Sequence, residues 1–352
     1  MSTTHAEDGA AVGPAAPIPA FAAAGADPAA ELEALRRAAG LVDRRVLSPL
    51  RVSGSSRAAY LHRVAAQSLA DLAPGAGGRA ALLERTGKII DIATVHAFPD
   101  HLLWISAAGR GAVAAAALRR TIFRDDVRVE TETPRTALFL WSGPLAEAGL
   151  AGILASGRAP VVPLAWESLG GAPAGGAVRL VPAEPAAFLV LVEAASAAAI
   201  AEALVGSVPG GRVAGDDAFA AWRVLHGVPE GEFEIDAEAN PLELGLDDAV
   251  DMCKGCFTGQ EAIAKMITHH AVRRRLVGLR LVGQDLPPRK AALRLGTEEV
   301  GRVTTAVRVA EGERAIALAL VRTESTTPGT RLEVAGGSDA EVVPLPFEEA
   351  GG

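Results

Sequence analysis

From Arg275 onward, apolar residues come in short alternating runs broken by glycine or proline. The runs are Leu276–Leu281, Ala291–Leu295, Glu299–Val303, Ala315–Val321, Arg331–Val334 and Glu341–Leu345. Gly283, Gly296, Gly312, Pro328-Gly329 and Gly336-Gly337 punctuate them. Evenly spaced short strands with turn residues between them predict a small antiparallel β-barrel over residues 273–347. A chain of 352 residues is too long for one ordinary core, so the remainder forms a separate body.

That remainder alternates helix and strand. Leu50–Ser53 reads as a strand, followed by a Ser55/Ser56 N-cap and a helix through Leu61, Val64 and Leu69. Lys88–His96 and His101–Ser106 form a hairpin joined at Pro99-Asp100. A helix over Ala112–Phe123 and strands near Val127–Glu132 and Thr136–Trp141 follow. The rhythm returns with strands near Val178–Val181 and Phe188–Val192 and helices at Ser196–Val205 and Asp217–His226. The expected class is α+β, two lobes over residues 30–272, split near 143–176, with the barrel behind them.

Residues 1–29 are rich in Ala, Gly and Pro, and the first basic residue is Arg36. They lack the positive start of a signal peptide and the arginines of a mitochondrial presequence, and read as a disordered tail. No apolar run reads as a membrane span. The expected location is cytoplasmic. The net charge of −8 argues against duplex nucleic acid as a partner. The two cysteines, Cys253 and Cys256, make no disulfide framework.

Those cysteines sit in the densest cluster of unusual residues, Cys253-Lys-Gly-Cys-Phe-Thr-Gly-Gln-Glu261. Thr258 and Glu261 have capping-box spacing, which starts a helix at Gly259. Cys256 then lies just before a helix N-terminus, with Lys254 close by. Both features favour a thiolate. Gly255 and Gly259 allow close backbone approach to a bound group. Three of the four lysines, Lys254, Lys265 and Lys290, fall in this region, a basic surplus suited to an anionic small ligand. Other readings stay open. Taken alone, a cysteine placed like Cys256 is more often a small buried hydrophobe. Cys253 and Cys256 also read as a redox pair, or with His269 and His270 as a zinc cluster, although adjacent histidines lack the usual ligand spacing.

Lys254-Gly-Cys-Phe-Thr-Gly-Gln-Glu261 resembles the motif of the YgfZ family, the folate-binding branch of the GcvT superfamily to which the glycine-cleavage T-protein belongs. The flanks Trp222–Gly231, Asn240–Leu246, Thr268–His270 and Arg274–Leu276 are similar too, as are Val300–Thr305, Ala315–Ala319 and Leu345–Phe347. The likeness spans about Leu41 to Phe347. It implies two ferredoxin-like α+β lobes and a C-terminal barrel around a folate-sized hole. It also implies tetrahydrofolate binding and support of iron–sulfur cluster assembly or repair in client proteins. Cys256 is then the reactive residue. Lys254, Gly255, Phe257, Gly259, Gln260, Glu261, Arg223 and Asp91 are the candidate folate-binding residues. Arg223 would pair with a folate carboxylate or, equally, form a structural salt bridge.

The sequence departs from the T-protein at three places. Gln67-Ser68 replaces an Asn-Asp pair, Ile92 follows Asp91 where a second acid stands, and Leu189 replaces a folate-binding Glu. A tetrahydrofolate-dependent aminomethyltransferase-like transferase is therefore the alternative function, and a non-catalytic scaffold that has lost folate is a third.

Overall fold

The computed structural model describes residues 17–160, 164–170, 175–180, 186–283, 285–309 and 314–348. Its first sheet is antiparallel throughout. From edge to edge it runs Gly77–Leu83, Ile89–Ala97, His101–Ser106, Ser48–Ser53 and Arg128–Thr131. Side chains alternate between its faces. Val52, Val95 and Trp104 face the helices Arg57–Val64 and Gly111–Arg120, packing with Leu61 and Leu118. Leu103 and Ile105 face the other way.

The second sheet has six strands in the order Arg212–Ala214, Gly40–Asp43, Thr136–Ser142, Ala187–Glu193, Gly175–Arg179, Trp166–Ser168. One face holds Phe139, Trp141, Phe188 and Val190 against the helix Ala197–Gly206. The other presents Leu138, Leu189 and Leu191 to Leu103 and Ile105 of the first sheet. Two sheets thus face each other across a narrow apolar plug.

The lobes are not consecutive halves split near 143–176. Gly40–Asp43 pairs antiparallel with Thr136–Ser142 and parallel with Arg212–Ala214, so the second lobe uses chain from both sides of the first. Long-range pairing of this kind leaves no local composition break. The disordered-tail reading does not extend to residues 17–29. Ile18 is buried and Phe21 stacks on Phe139 with ring centroids 5.6 Å apart. Asp27 caps the helix Pro28–Arg37, accepting from the Ala30 amide at 3.1 Å. Residues 1–16 lie outside the described residues.

The C-terminal barrel is closed and antiparallel, in the order Arg274–Val282, Arg314–Arg322, Glu298–Val309, Ala292–Leu295, Arg331–Val334, Ser338–Val343. Closure removes the free sheet edges. Leu279, Leu293, Val303 and Ala317 fill it. It docks on the helix Asp216–Leu225 through Leu318, Val343 and Phe347. Among the described residues, no helix is long and apolar enough to cross a membrane.

Candidate ligand cavity and cysteine loop

A cavity of about 170 Å³ lies between the two sheets. Ile92, Thr94 and Ile105 of the first sheet and Leu140, Ala187 and Leu189 of the second line it. Arg44 and Glu230 form part of its wall, paired at 2.6 Å and largely buried. Thr94 Oγ1 and Trp222 Nε1 belong to lining residues, are buried, and have no hydrogen-bond partner among the described residues. Buried polar atoms are nearly always partnered, so these two are exceptions in the cavity wall.

Strand alternation separates Asp91 from this cavity. Ile92 and Thr94 point into it; Asp91 points toward the helices and is fully buried. Its carboxylate accepts from Trp104 Nε1 at 2.8 Å and from the Ala107 amide at 3.2 Å. Burial pushes its pKa up to about 6, against the opposing pull of those hydrogen bonds and of Arg110. Asp91 is therefore a core group, and the position at the cavity is the apolar Ile92.

Arg223 is likewise sealed in, at 1% exposure. It donates to Glu234 at 3.0 Å and to Thr305 Oγ1 at 2.6 Å, joining the second lobe to the barrel. Of the two sequence readings the structural salt bridge is the one formed, because Glu234 occupies the guanidinium.

The cysteine loop lies behind the cavity wall rather than on it. None of Lys254, Gly255, Phe257, Gly259, Gln260 and Glu261 lines the cavity. Phe257 is buried in an apolar cluster with Ile92, Ala107 and Ile235, which do line it. The Lys254 ammonium is not turned toward the thiol. It donates to the carbonyls of His62, Ala65 (2.8 Å) and Gln67 (3.1 Å) at the end of the helix Arg57–Val64, satisfying acceptors that the helix leaves open. Burial lowers its pKa to about 8.

The predicted helix forms as Gln260–Thr268, with Gly259 as its N-cap and no side-chain cap bond. The expected Thr258–Glu261 capping box is absent because Glu261 pairs instead with Lys265 at 2.7 Å, one turn on. Gly259 has φ of 86°, and a Cβ there would come within 2.5 Å of the Glu84 carbonyl oxygen. The helix start is thus packed directly on the hairpin turn between Leu83 and Ile89. Gly255 by contrast faces open space. Cys253 and Cys256 are both exposed. Cys256, Gln260 and Glu261 border a separate open basin with Arg63 and Arg85. Among the described residues no cluster of His, Cys, Asp and Glu suits a metal ion.

Residue-by-residue reading missed Arg44, Thr94 and Glu230. Arg44 and Glu230 are 186 residues apart, so no local spacing announces their pairing. The alternation of Ile89–Ala97 put Ile92 and Thr94 on one face, but which face meets a cavity depends on the second sheet.

Two facing sheets with a cleft between them and a closed barrel behind them define a three-part α+β class. The chain matches the GCVT N-terminal domain over residues 5–254 and the glycine cleavage T-protein C-terminal barrel domain over residues 274–348. It belongs to the GcvT family. It is similar to a putative chloroplastic transferase of Arabidopsis thaliana, at 26% identity over 90% of this chain and 73% of that protein. It is also similar to an aminomethyltransferase of Rubrobacter xylanophilus, at 30% identity over 90% of this chain and 85% of that one. The crystal structure of the glycine cleavage system aminomethyltransferase T from Bartonella henselae shares the fold. Its TM-score is 0.80 at 22% identity, covering 92% of this chain and 90% of that one.

Tetrahydrofolate is the cofactor such a family implies. The cavity is smaller than the roughly 300–1,000 Å³ of pockets that enclose a drug-sized ligand. At about 170 Å³ it has room for a head group alone, and the remainder of a folate would lie outside it.

Proposed function

We propose that this protein binds a reduced folate through its pterin head in the inter-sheet cavity, and that it supports iron–sulfur cluster proteins through Cys256, as a member of the YgfZ branch. The observation that carries this reading is the pairing of an apolar cavity wall with an exposed motif thiol. Ile92 and Leu189 stand at the cavity where the T-protein has acids, while Cys256 is open to solvent on the loop behind the wall. Thr94 and Trp222 would hold the head group, and Arg44 with Glu230 would close one side. Bound tetrahydrofolate would supply a nitrogen able to carry a one-carbon unit.

Titration calorimetry with tetrahydrofolate tests the first half. Micromolar binding is expected, and no binding would leave the scaffold reading. Cys256→Ser tests the second half. The variant should keep its fold and folate affinity yet fail to restore the activity of cluster-containing enzymes in a deletion strain; full restoration defeats the thiol role.

One-carbon transfer is the second reading, and the names of the relatives favour it. For that chemistry Glu230 is the carboxylate present at the cavity, and it is tied to Arg44. Aminomethyl transfer from a lipoylated carrier protein to tetrahydrofolate, measured directly, separates the two readings. Turnover by Cys256→Ser equal to that of the parent would establish the transferase and exclude the thiol from it.

A further inference from the structure

The cleft between the sheets has a second cavity at its other end, of about 380 Å³, beyond the plug formed by Leu103, Leu138 and Leu191. Its wall is aromatic. Phe98 stacks on His101 at 4.5 Å between ring centroids, and Trp166 meets the edge of Phe98 at 5.1 Å. Gly176 is required here, because a Cβ would come within 2.3 Å of the Trp166 indole lying over it.

The polar lining is acidic in effect. Arg51 is neutralised by Asp100 at 2.5 Å, which also bonds His101 at 2.7 Å. Burial lowers the His101 pKa, against the opposing pull of Asp100. Two carboxylates remain. The Glu132 side chain is 16% exposed and meets Arg135 only at 3.9 Å, while the Arg135 side chain is itself 80% exposed. The Glu193 carboxylate has no ion-pair or hydrogen-bond partner among the described residues, and this residue also lines the cavity. Thr136 lines the same cavity as the two acids. It lies opposite Glu193 across the strand pair, and its hydroxyl donates to the Glu132 carbonyl at 2.9 Å.

Carboxylates short of cations, beside the faces and edges of aromatic rings, match an organic ammonium: charge-assisted hydrogen bonds take the nitrogen and cation–π attraction adds to them. We propose that this second cavity binds a small primary amine with an aromatic or apolar body, its ammonium taken by Glu132 and Glu193 and its body packed against Phe98 and Trp166. This site is separate from the folate cavity and does not depend on it.

The full-length protein is titrated with 2-phenylethylamine and with the neutral isostere 2-phenylethanol, by calorimetry and by tryptophan fluorescence. Trp104, Trp141 and Trp222 are buried in the cores, so Trp166 is the reporter at this cavity. Saturable binding of the amine is expected, with the alcohol about tenfold weaker or worse, the worth of one charge-assisted hydrogen bond. Glu132→Gln and Glu193→Gln should each weaken the amine about tenfold and leave the alcohol unchanged. Trp166→Phe should remove the fluorescence response while the heat of binding persists. Equal affinity for amine and alcohol, absence of saturable heat at millimolar amine, indifference to both glutamate variants, or a fluorescence response that survives Trp166→Phe each overturns the proposal.

Discussion

Arg223 and Glu234 stand 3.0 Å apart inside the protein, at 1% and 0% exposure, and Thr305 of the barrel bonds both. Breaking such a pair leaves one buried charge without its partner. Arg223→Met and Glu234→Gln should each lower unfolding stability by about 3–5 kcal/mol. The double variant Arg223→Met/Glu234→Leu should be less damaged than the sum of its parts. Urea denaturation of the three proteins gives the coupling; simple additivity would show that the ion pair is not the joint between lobe and barrel.

Two buried groups make opposite demands on pH. Asp91 has its pKa raised from 3.8 to about 6, so the folded state holds its proton more tightly than the unfolded state does. Its stabilising contribution is complete below pH 3.8 and is lost as pH rises through 6. His96 is fully buried, and its pKa falls from 6.5 to about 4, partly offset by a bond to the Leu164 carbonyl. Its contribution is complete above pH 6.5 and is lost as pH falls through 4. The two slopes oppose each other, each worth up to about 3 kcal/mol. Asp91→Asn should therefore gain stability relative to the parent as pH rises from 4 to 6.5, whereas His96→Gln should lose it. Equilibrium unfolding at several pH values reads the sign; parallel curves for parent and variants would defeat both assignments.

Gly259 and Gly255 belong to the same short motif but answer to different constraints. At Gly259 the backbone has positive φ and the Glu84 carbonyl blocks a side chain; at Gly255 neither holds. Gly259→Ala should cost about 2 kcal/mol or more, from left-handed strain of about 1–2 kcal/mol plus the clash. Gly255→Ala should stay within about 0.5 kcal/mol of the parent. Thermal melts of the pair decide it, and equal losses would mean that the helix start does not rest on the hairpin.

Thr94→Val removes a buried hydroxyl with no partner among the described residues and keeps its shape. Stability should hold or rise slightly, since an unmet polar group is removed. Tetrahydrofolate affinity should fall about tenfold, by the loss of one hydrogen bond at the head group. Unaltered affinity in calorimetry would place the pterin elsewhere.

The barrel was readable in advance because its information is local. Strands of period two and turn glycines announce themselves wherever they sit, and the observed strands overlap the expected runs. The helix Pro28–Arg37 carried a local marker as well, Asp27 before Pro28, a cap followed by proline at the first helical position. Composition hides it, because the Ala/Gly/Pro richness of the tail runs on to Ala29. The cavity was harder for a different reason. Asp91 and Ile92 differ by one step along a strand, and that step decides between core and ligand. Only the position of the second sheet, built from chain as distant as Leu189, makes the choice. Lys254 stands beside Cys256 in the sequence, but the carbonyls that capture its ammonium belong to residues 62–67, which no local spacing announces.

The strand Gly40–Asp43, seated between Thr136–Ser142 and Arg212–Ala214, sets a timetable for synthesis. The first lobe, residues 48–131, is continuous and has all of its strands as soon as it emerges from the ribosome. Gly40–Asp43, made before it, must wait for one neighbour until residue 136 and for the other until residue 212. Translation thus delivers one complete sheet flanked by an incomplete one, and an exposed strand edge persists through much of the chain's birth.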